Sequence, residues 1–210
     1  VLFRSGYGSS KSYNAALKLI IMSAMEKRKI LVVRQVKENL RGSCFADLES
    51  SIETLGLNNY FYSTTSPLSI KCTITGSEFI FRGLDDVRKI KSIKDIDTIW
   101  IEEADEIDFK SFKELKARLR SVRNRNVIIL TTNPNEYGVW TYKYLMSILE
   151  RDGKSELDLY NERIINAVEE TKLQSGKVYS ENIYLHHSVY SDNKFLPNLK
   201  TENIIDNQSE

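Results

Sequence analysis

The chain has 210 residues, 41% of them apolar and 28% charged, which is the composition of an ordinary globular protein with room for one domain and an appendage. No run approaches the roughly 18 apolar residues of a membrane span, and a net charge of +1 excludes a globally basic nucleic-acid binder. Basic residues do gather locally, at Arg88, Lys89, Lys91 and Lys94 and again at Arg118, Arg120, Arg123 and Arg125. Such clusters are most simply solvated faces, but contact with DNA needs only a local stripe. Cys44 and Cys72, the only cysteines, lack metal-ligand spacing and read as reduced thiols of a cytosolic protein.

In chain order, Val1 to Arg4 is a short apolar run that reads as strand, and a chain opening on it reads as a fragment. Turn-rich Ser5 to Ser10 follows, then a helix over about Lys11 to Lys27 with Ala15, Leu19, Met22 and Met25 near helical spacing. Ile30 to Val33 is a β-branched run, the mark of a strand buried on both faces. Asn39 to Leu55 reads as an amphipathic helix. Ile70–Ile74 and Glu78–Arg82 read as strands of a hairpin around Thr75-Gly76-Ser77. Thr98 to Ile101 is a buried strand, Phe109 to Arg120 a helix, Val127 to Leu130 another apolar strand and Trp140 to Leu149 a helix. Beyond Asp152 the chain is polar and less regular, with one clear strand at Asn182 to Val189. Buried strands alternating with helices predict an α/β protein, a mostly parallel sheet with helices on both faces. Ligands of such sheets bind at the carboxyl ends of strands.

Three polar motifs fall at those ends. Ser5-Gly6-Tyr7-Gly8-Ser9-Ser10-Lys11-Ser12 lies between a strand and a helix. A phosphate loop needs small residues so that backbone N–H groups can wrap a phosphate, a Lys to reach the β- and γ-phosphates, and a hydroxyl for magnesium. Lys11 and Ser12 fit those parts, while Ser5 and Ser10 stand where the strict G-x-x-x-x-G-K-[ST] pattern has glycine. An ordinary flexible strand-to-helix turn is the bland alternative, but the strand–turn–helix context is what phosphate-loop chemistry requires. Thr98-Ile99-Trp100-Ile101-Glu102-Glu103 is an apolar strand ending in two carboxylates, which suits one acid holding Mg²⁺ and a second activating water. An acidic helix entry explains Asp105, Glu106 and Asp108, but not two carboxylates closing an apolar strand. Leu130-Thr131-Thr132-Asn133-Pro134 can sense a γ-phosphate or can simply be an Asn-Pro turn. The order of the three, with the strand Ile30 to Val33 between the first two, matches P-loop NTPases of the additional-strand class.

Across nearly its whole length the sequence resembles the large terminase subunit of tailed phages, in its PBSX-type group. The resemblance rests on GYGSSKSYNAALKLI, ILVVRQVKENLRGSCFADL, FIFRGLDDVRKIKSIKDIDTIWIEEADEI, FKELKARLR, VIILTTNPN and LHHSVYSDNKFLP. It implies an ATPase that drives double-stranded DNA into a procapsid. Gly6, Gly8, Ser9, Ser10, Lys11, Ser12, Thr131, Thr132 and Asn133 would contact ATP, Ser12 and Glu102 would hold Mg²⁺, and Glu103 with Lys11 would be catalytic. Arg34 matches a position that is typically basic in the group.

The resemblance also implies residues 1–152 as the ATPase core and 153–210 as its end, a lid-like part leading towards a nuclease domain. An adenine-binding segment would lie upstream of Val1. Expected partners are DNA, a portal protein, a small terminase subunit and further copies on the portal, with the isolated chain a monomer. The expected location is the bacterial host cytoplasm and, transiently, the procapsid. Arg82, Arg88 and Lys91 are candidates for a basic residue acting across subunits. His186 and His187, adjacent on a strand, would face opposite ways and read as structural. Two alternatives stay open at this level: a helicase or translocase of the same class, and a catalytically inactive nucleotide-binding module, the latter motivated by Ser5, Ser10 and Glu102.

Overall fold

The computed structural model of the protein describes residues 2–5, 10–84, 90, 92–119, 125–133, 138–172, 176 and 178–189, with only the backbone path at 2–5, 171 and 179. The chain forms two compact units, one over Ser12–Thr132 and the other over Leu2–Lys11 and the chain from Asn133 onward.

In the first unit the strands run in the order β3-β4-β5-β2-β6-β7. They are β2 (Lys29–Arg34), β3 (Phe61–Thr65), β4 (Leu68–Cys72), β5 (Glu78–Gly83), β6 (Thr98–Ile101) and β7 (Val127–Thr132). Strand β2 pairs in parallel with both β5 and β6, and β6 in parallel with β7. This is why Ile30–Val33 and Ile99–Ile101 read as unbroken apolar runs: every one of these side chains is fully buried. Antiparallel pairing begins at β4–β5 and continues to β3–β4. Helix α1 (Lys11–Met25) buries Ala15, Ala16, Leu19 and Ile20, and α2 (Ala46–Thr54) follows a π-helical turn at Arg41–Phe45. Helix α3 (Phe109–Lys116) sets Phe112 and Leu115 into the core.

Polar bonds tie the lower end of this unit together. The hydroxyls of Thr75 and Ser77, in the β4–β5 turn, donate to Ser23 O at 2.6 and 2.8 Å, in the closing turns of α1. Arg28 Nη1 donates to Arg125 O at 2.8 Å and lies 3.5 Å from Asp97 Oδ1, while Asp97 Oδ2 accepts from Lys29 N at 2.9 Å.

The second unit pairs β1 (Leu2–Ser5) in parallel with β9 (Val178–Ser188), and β9 antiparallel with β8 (Ile164–Lys172). Helix α4 (Trp140–Arg151) packs on β8, and α5 (Glu156–Glu162) on β8 and β9.

Several elements differ from expectation. The polar stretch after Asp152 holds α5, β8 and a longer β9, where the sequence suggested one strand. Acidic residues thin the apolar alternation of β8, where Ile165 and Ala167 alone are buried among the described side chains. Strand β3 was not anticipated because four of its five residues are exposed, leaving no period to read. The first hairpin strand lies at Leu68–Cys72, two residues earlier than read, and α3 stops at Lys116 rather than Arg120.

Candidate active site

Strand β6 delivers two consecutive carboxylates and the structure sends them to different partners. Glu102 N donates to Val33 O at 3.0 Å, so the backbone is still tied to β2 when it leaves the strand. The side chain of Glu102 is buried. Its Oε1 accepts from Ser12 Oγ at 2.6 Å, in the first turn of α1, and its Oε2 accepts from Thr131 Oγ1 at 2.5 Å, near the end of β7. Thr131 Oγ1 in turn accepts from Trp100 Nε1 at 3.1 Å.

Glu103 adopts φ 48°, ψ 58°, a left-handed conformation that costs a side-chain-bearing residue roughly 1–2 kcal/mol. Strain of this kind gathers at functional sites. The reversal turns Glu103 to Arg34, the last residue of β2, with which it forms an ion pair. Arg34 Nε also lies 3.8 Å from Glu106 Oε2. Burial first, and then the neighbouring Glu103, hold the Glu106 carboxyl above its ordinary pKa, against the opposing pull of Arg34. Thr132 Oγ1 donates to Asp105 Oδ1 at 2.6 Å, so the two threonines of β7 grip two different acids. The thiol of Cys44 is buried nearby. Burial and then the charge of Glu102 push its pKa up, so it stays a protonated, inert thiol.

Ser12, Glu102, Thr131 and Thr132 are thus brought together, with Glu103 beside them on Arg34. Ser10, Lys11 and Asn133 belong to the second unit. Lys11 is the first residue of α1. Ser10 has φ 59°, the backbone conformation that the glycine of the strict pattern would take without cost. Gly6, Gly8 and Ser9 lie outside the described residues, as do Arg88 and Lys91. Arg82, half-buried on β5, donates from Nη1 to Phe81 O at 2.7 Å. His187, on β9, has its ring 5.5 Å from that of Tyr160. Trp100 and Asp105 were not legible as site residues, because their part depends on which strand lies beside β6.

The Ser12 hydroxyl and the Glu102 carboxylate form an all-oxygen donor set, the chemistry that a hard divalent cation such as Mg²⁺ takes, commonly through one or two carboxylates with phosphate oxygens. The residues therefore fit that cation.

A mostly parallel sheet flanked by helices, with a carboxylate-ended strand beside a polar-ended one, is the fold shared with solved large terminases and is consistent with a P-loop NTPase. A family model described as phage terminase large subunit matches residues 1–210, and the chain belongs to that family. It is 40% identical over 195 residues to the PBSX phage terminase large subunit of Bacillus subtilis (strain 168), covering 91% of this chain and 42% of that protein. It is 29% identical over 199 residues to the terminase large subunit of Bacillus phage SPP1, covering 93% of this chain and 42% of that protein. The chain thus spans about two fifths of the length of these relatives. Among solved structures, the large terminase of a thermophilic bacteriophage matches with a TM-score of 0.65 at 12% identity, covering 97% of this chain and 44% of that one. The same terminase in complex with ATP-gamma-S matches with a TM-score of 0.62, again at 12% identity, covering 97% of this chain and 43% of that one.

Proposed function

We propose that this chain is the ATPase of a DNA-packaging motor, hydrolysing ATP to translocate double-stranded DNA into a procapsid. The observation that carries the reading is the division of labour between Glu102, held by two hydroxyls, and Glu103, turned aside onto Arg34. Family membership and the ATP-gamma-S complex of a terminase with the same fold support it.

In this reading the backbone of Gly6, Gly8, Ser9 and Ser10 wraps the phosphates and Lys11 reaches the β- and γ-phosphates. Ser12 and Glu102 would hold Mg²⁺, which when bound neutralises charge on the phosphate oxygens. Glu103 orients the attacking water and takes up its proton, and Arg34 fixes the direction of that carboxylate. Thr131, Thr132 and Asn133 link the γ-phosphate end of the site to β7. Residues 1–152 would form the ATPase core and 153–210 its lid-like end. Portal protein, small terminase subunit and sister copies would be its partners, in the host cytoplasm and on the procapsid. Among the described residues no helix is long and apolar enough to cross a membrane.

Steady-state hydrolysis and calorimetry with a non-hydrolysable ATP analogue test the reading. Lys11→Ala is expected to abolish measurable nucleotide binding. Glu103→Gln is expected to keep binding and lower turnover by about 10²–10⁴-fold, because Gln can hydrogen-bond water but cannot accept its proton. If Glu102→Gln instead spares binding and stops hydrolysis, the two carboxylates have each other's role. A chain that binds the analogue but turns over ATP no faster than Glu103→Gln is an inactive nucleotide-binding module.

A further inference from the structure

The geometry points to Trp100 and Thr131 as positioning residues that aim the Glu102 carboxylate at its cation. This rests on the proposed role of Glu102 in holding Mg²⁺.

Glutamate is one methylene longer than aspartate, the usual acid at this place in the class. The extra sp³ torsion adds a further set of staggered rotamers, so a glutamate there is the less determined ligand. The structure supplies a restraint in compensation. Continuing the β6–β7 register, in which Ile101 lies level with Leu130, sets Glu102 level with Thr131. Trp100 stands two residues before Glu102 and hence on the same face of β6.

An indole N–H can only donate. With Trp100 Nε1 donating to Thr131 Oγ1 at 3.1 Å, a lone pair of that hydroxyl is occupied and its single proton is free for an acceptor. Two acceptors lie in reach, Glu102 Oε2 at 2.5 Å and Ile101 O at 3.3 Å, and the nearer, charged one takes it. The result is a directed relay from Trp100 through Thr131 to Glu102. It leaves Oε1 on the side of Ser12, 2.6 Å away. Trp100 and Thr131 are fully buried and Glu102 is 5% exposed, so water does not replace a missing member. Thr131, whose hydroxyl is taken up in this way, acts on the cation through Glu102.

The test compares Thr131→Val, Thr131→Ser and Trp100→Phe in the full 210-residue chain. It reads the Mg²⁺ or Mn²⁺ concentration that half-saturates binding of a non-hydrolysable ATP analogue by calorimetry, with thermal melting run alongside. Loss of an outer-shell partner of a metal ligand typically weakens metal affinity about 10- to 100-fold. Thr131→Val is expected to raise the half-saturating concentration by that factor. Thr131→Ser, which keeps the hydroxyl, is expected to restore it, and Trp100→Phe to shift it in the same direction as Val. Nitrogen-15 spectra give a second readout: the Trp100 indole N–H resonance shifts in Thr131→Val, where its acceptor is gone, and returns in Thr131→Ser. A melting shift with unchanged cation dependence would mean packing alone and overturn the inference. If Thr131→Val does not fold, an unchanged cation dependence in Trp100→Phe overturns it equally. Glu102→Gln separates the two levels. If that change shifts the cation dependence and the relay variants do not, only the relay fails; if it shifts nothing, the cation role of Glu102 fails with it.

Discussion

Ser10 holds φ 59° and Glu103 φ 48°, two side-chain-bearing residues in the left-handed region at the two ends of the proposed chemistry. The conformation costs roughly 1–2 kcal/mol for such a residue, while glycine adopts it freely at the expense of a more disordered unfolded chain. Ser10→Gly is therefore expected to stabilise the protein by about 1 kcal/mol or less, read as a small rise in melting temperature. A fall would mean that the Ser10 side chain itself holds the loop. The two adjacent carboxylates and Ser12 could be picked out of the sequence because each motif is local. Their arrangement could not, since Ser12 meets Glu102 across 90 positions and Arg34 meets Glu103 across 69. Arg34 stood out only as a basic residue at a strand end, and the ion pair supplies its part.

At the scale of elements, two short helices rest on acidic caps. Asp108 accepts from Ser111 N at 2.6 Å at the start of α3, and Ser155 and Asp158 form a reciprocal capping box at the start of α5. These hydrogen bonds hold both carboxyls below their usual pKa. A lowered folded-state pKa gives stability that is present above the unfolded value and is lost as pH falls through the folded one. Acidification through and below the ordinary carboxylate range is thus expected to loosen α3 and α5 before the apolar strands. Amide exchange across Phe109–Lys116 and Glu156–Glu162 checks it; uniform protection down to the lowest pH would contradict it. The helix start at Ser155-Glu156-Leu157-Asp158 went unread, because the short helix after it buries only Leu159 and leaves no apolar period. The buried strands β2, β6 and β7 were legible, since burial on both faces leaves an unbroken apolar run. Strand β3, exposed along four of five residues, left no such trace.

Across the first unit as a whole, the sheet is fastened at the end away from the carboxylates. Arg28 and Asp97 are both nearly fully buried and join β2, β6 and the approach to β7. Asp97→Ala takes the acceptor from Lys29 N and one of two carboxylates from Arg28, which keeps Glu26, so it is expected to cost about 1–3 kcal/mol, measurable by urea denaturation. The proposed DNA binding, resting on phosphate contacts, is expected to fall steeply with added salt. Helix α1 runs between these two regions. Its 15 residues span roughly 22 Å at 1.5 Å per residue. Its head carries Ser12, and near its tail Ser23 O receives the hydroxyls of Thr75 and Ser77. A rod pinned at its far end cannot recoil when its near end is pushed. A push along the axis at Ser12 therefore passes down the helix into the β4–β5 turn, and the antiparallel margin of the sheet is where the load arrives.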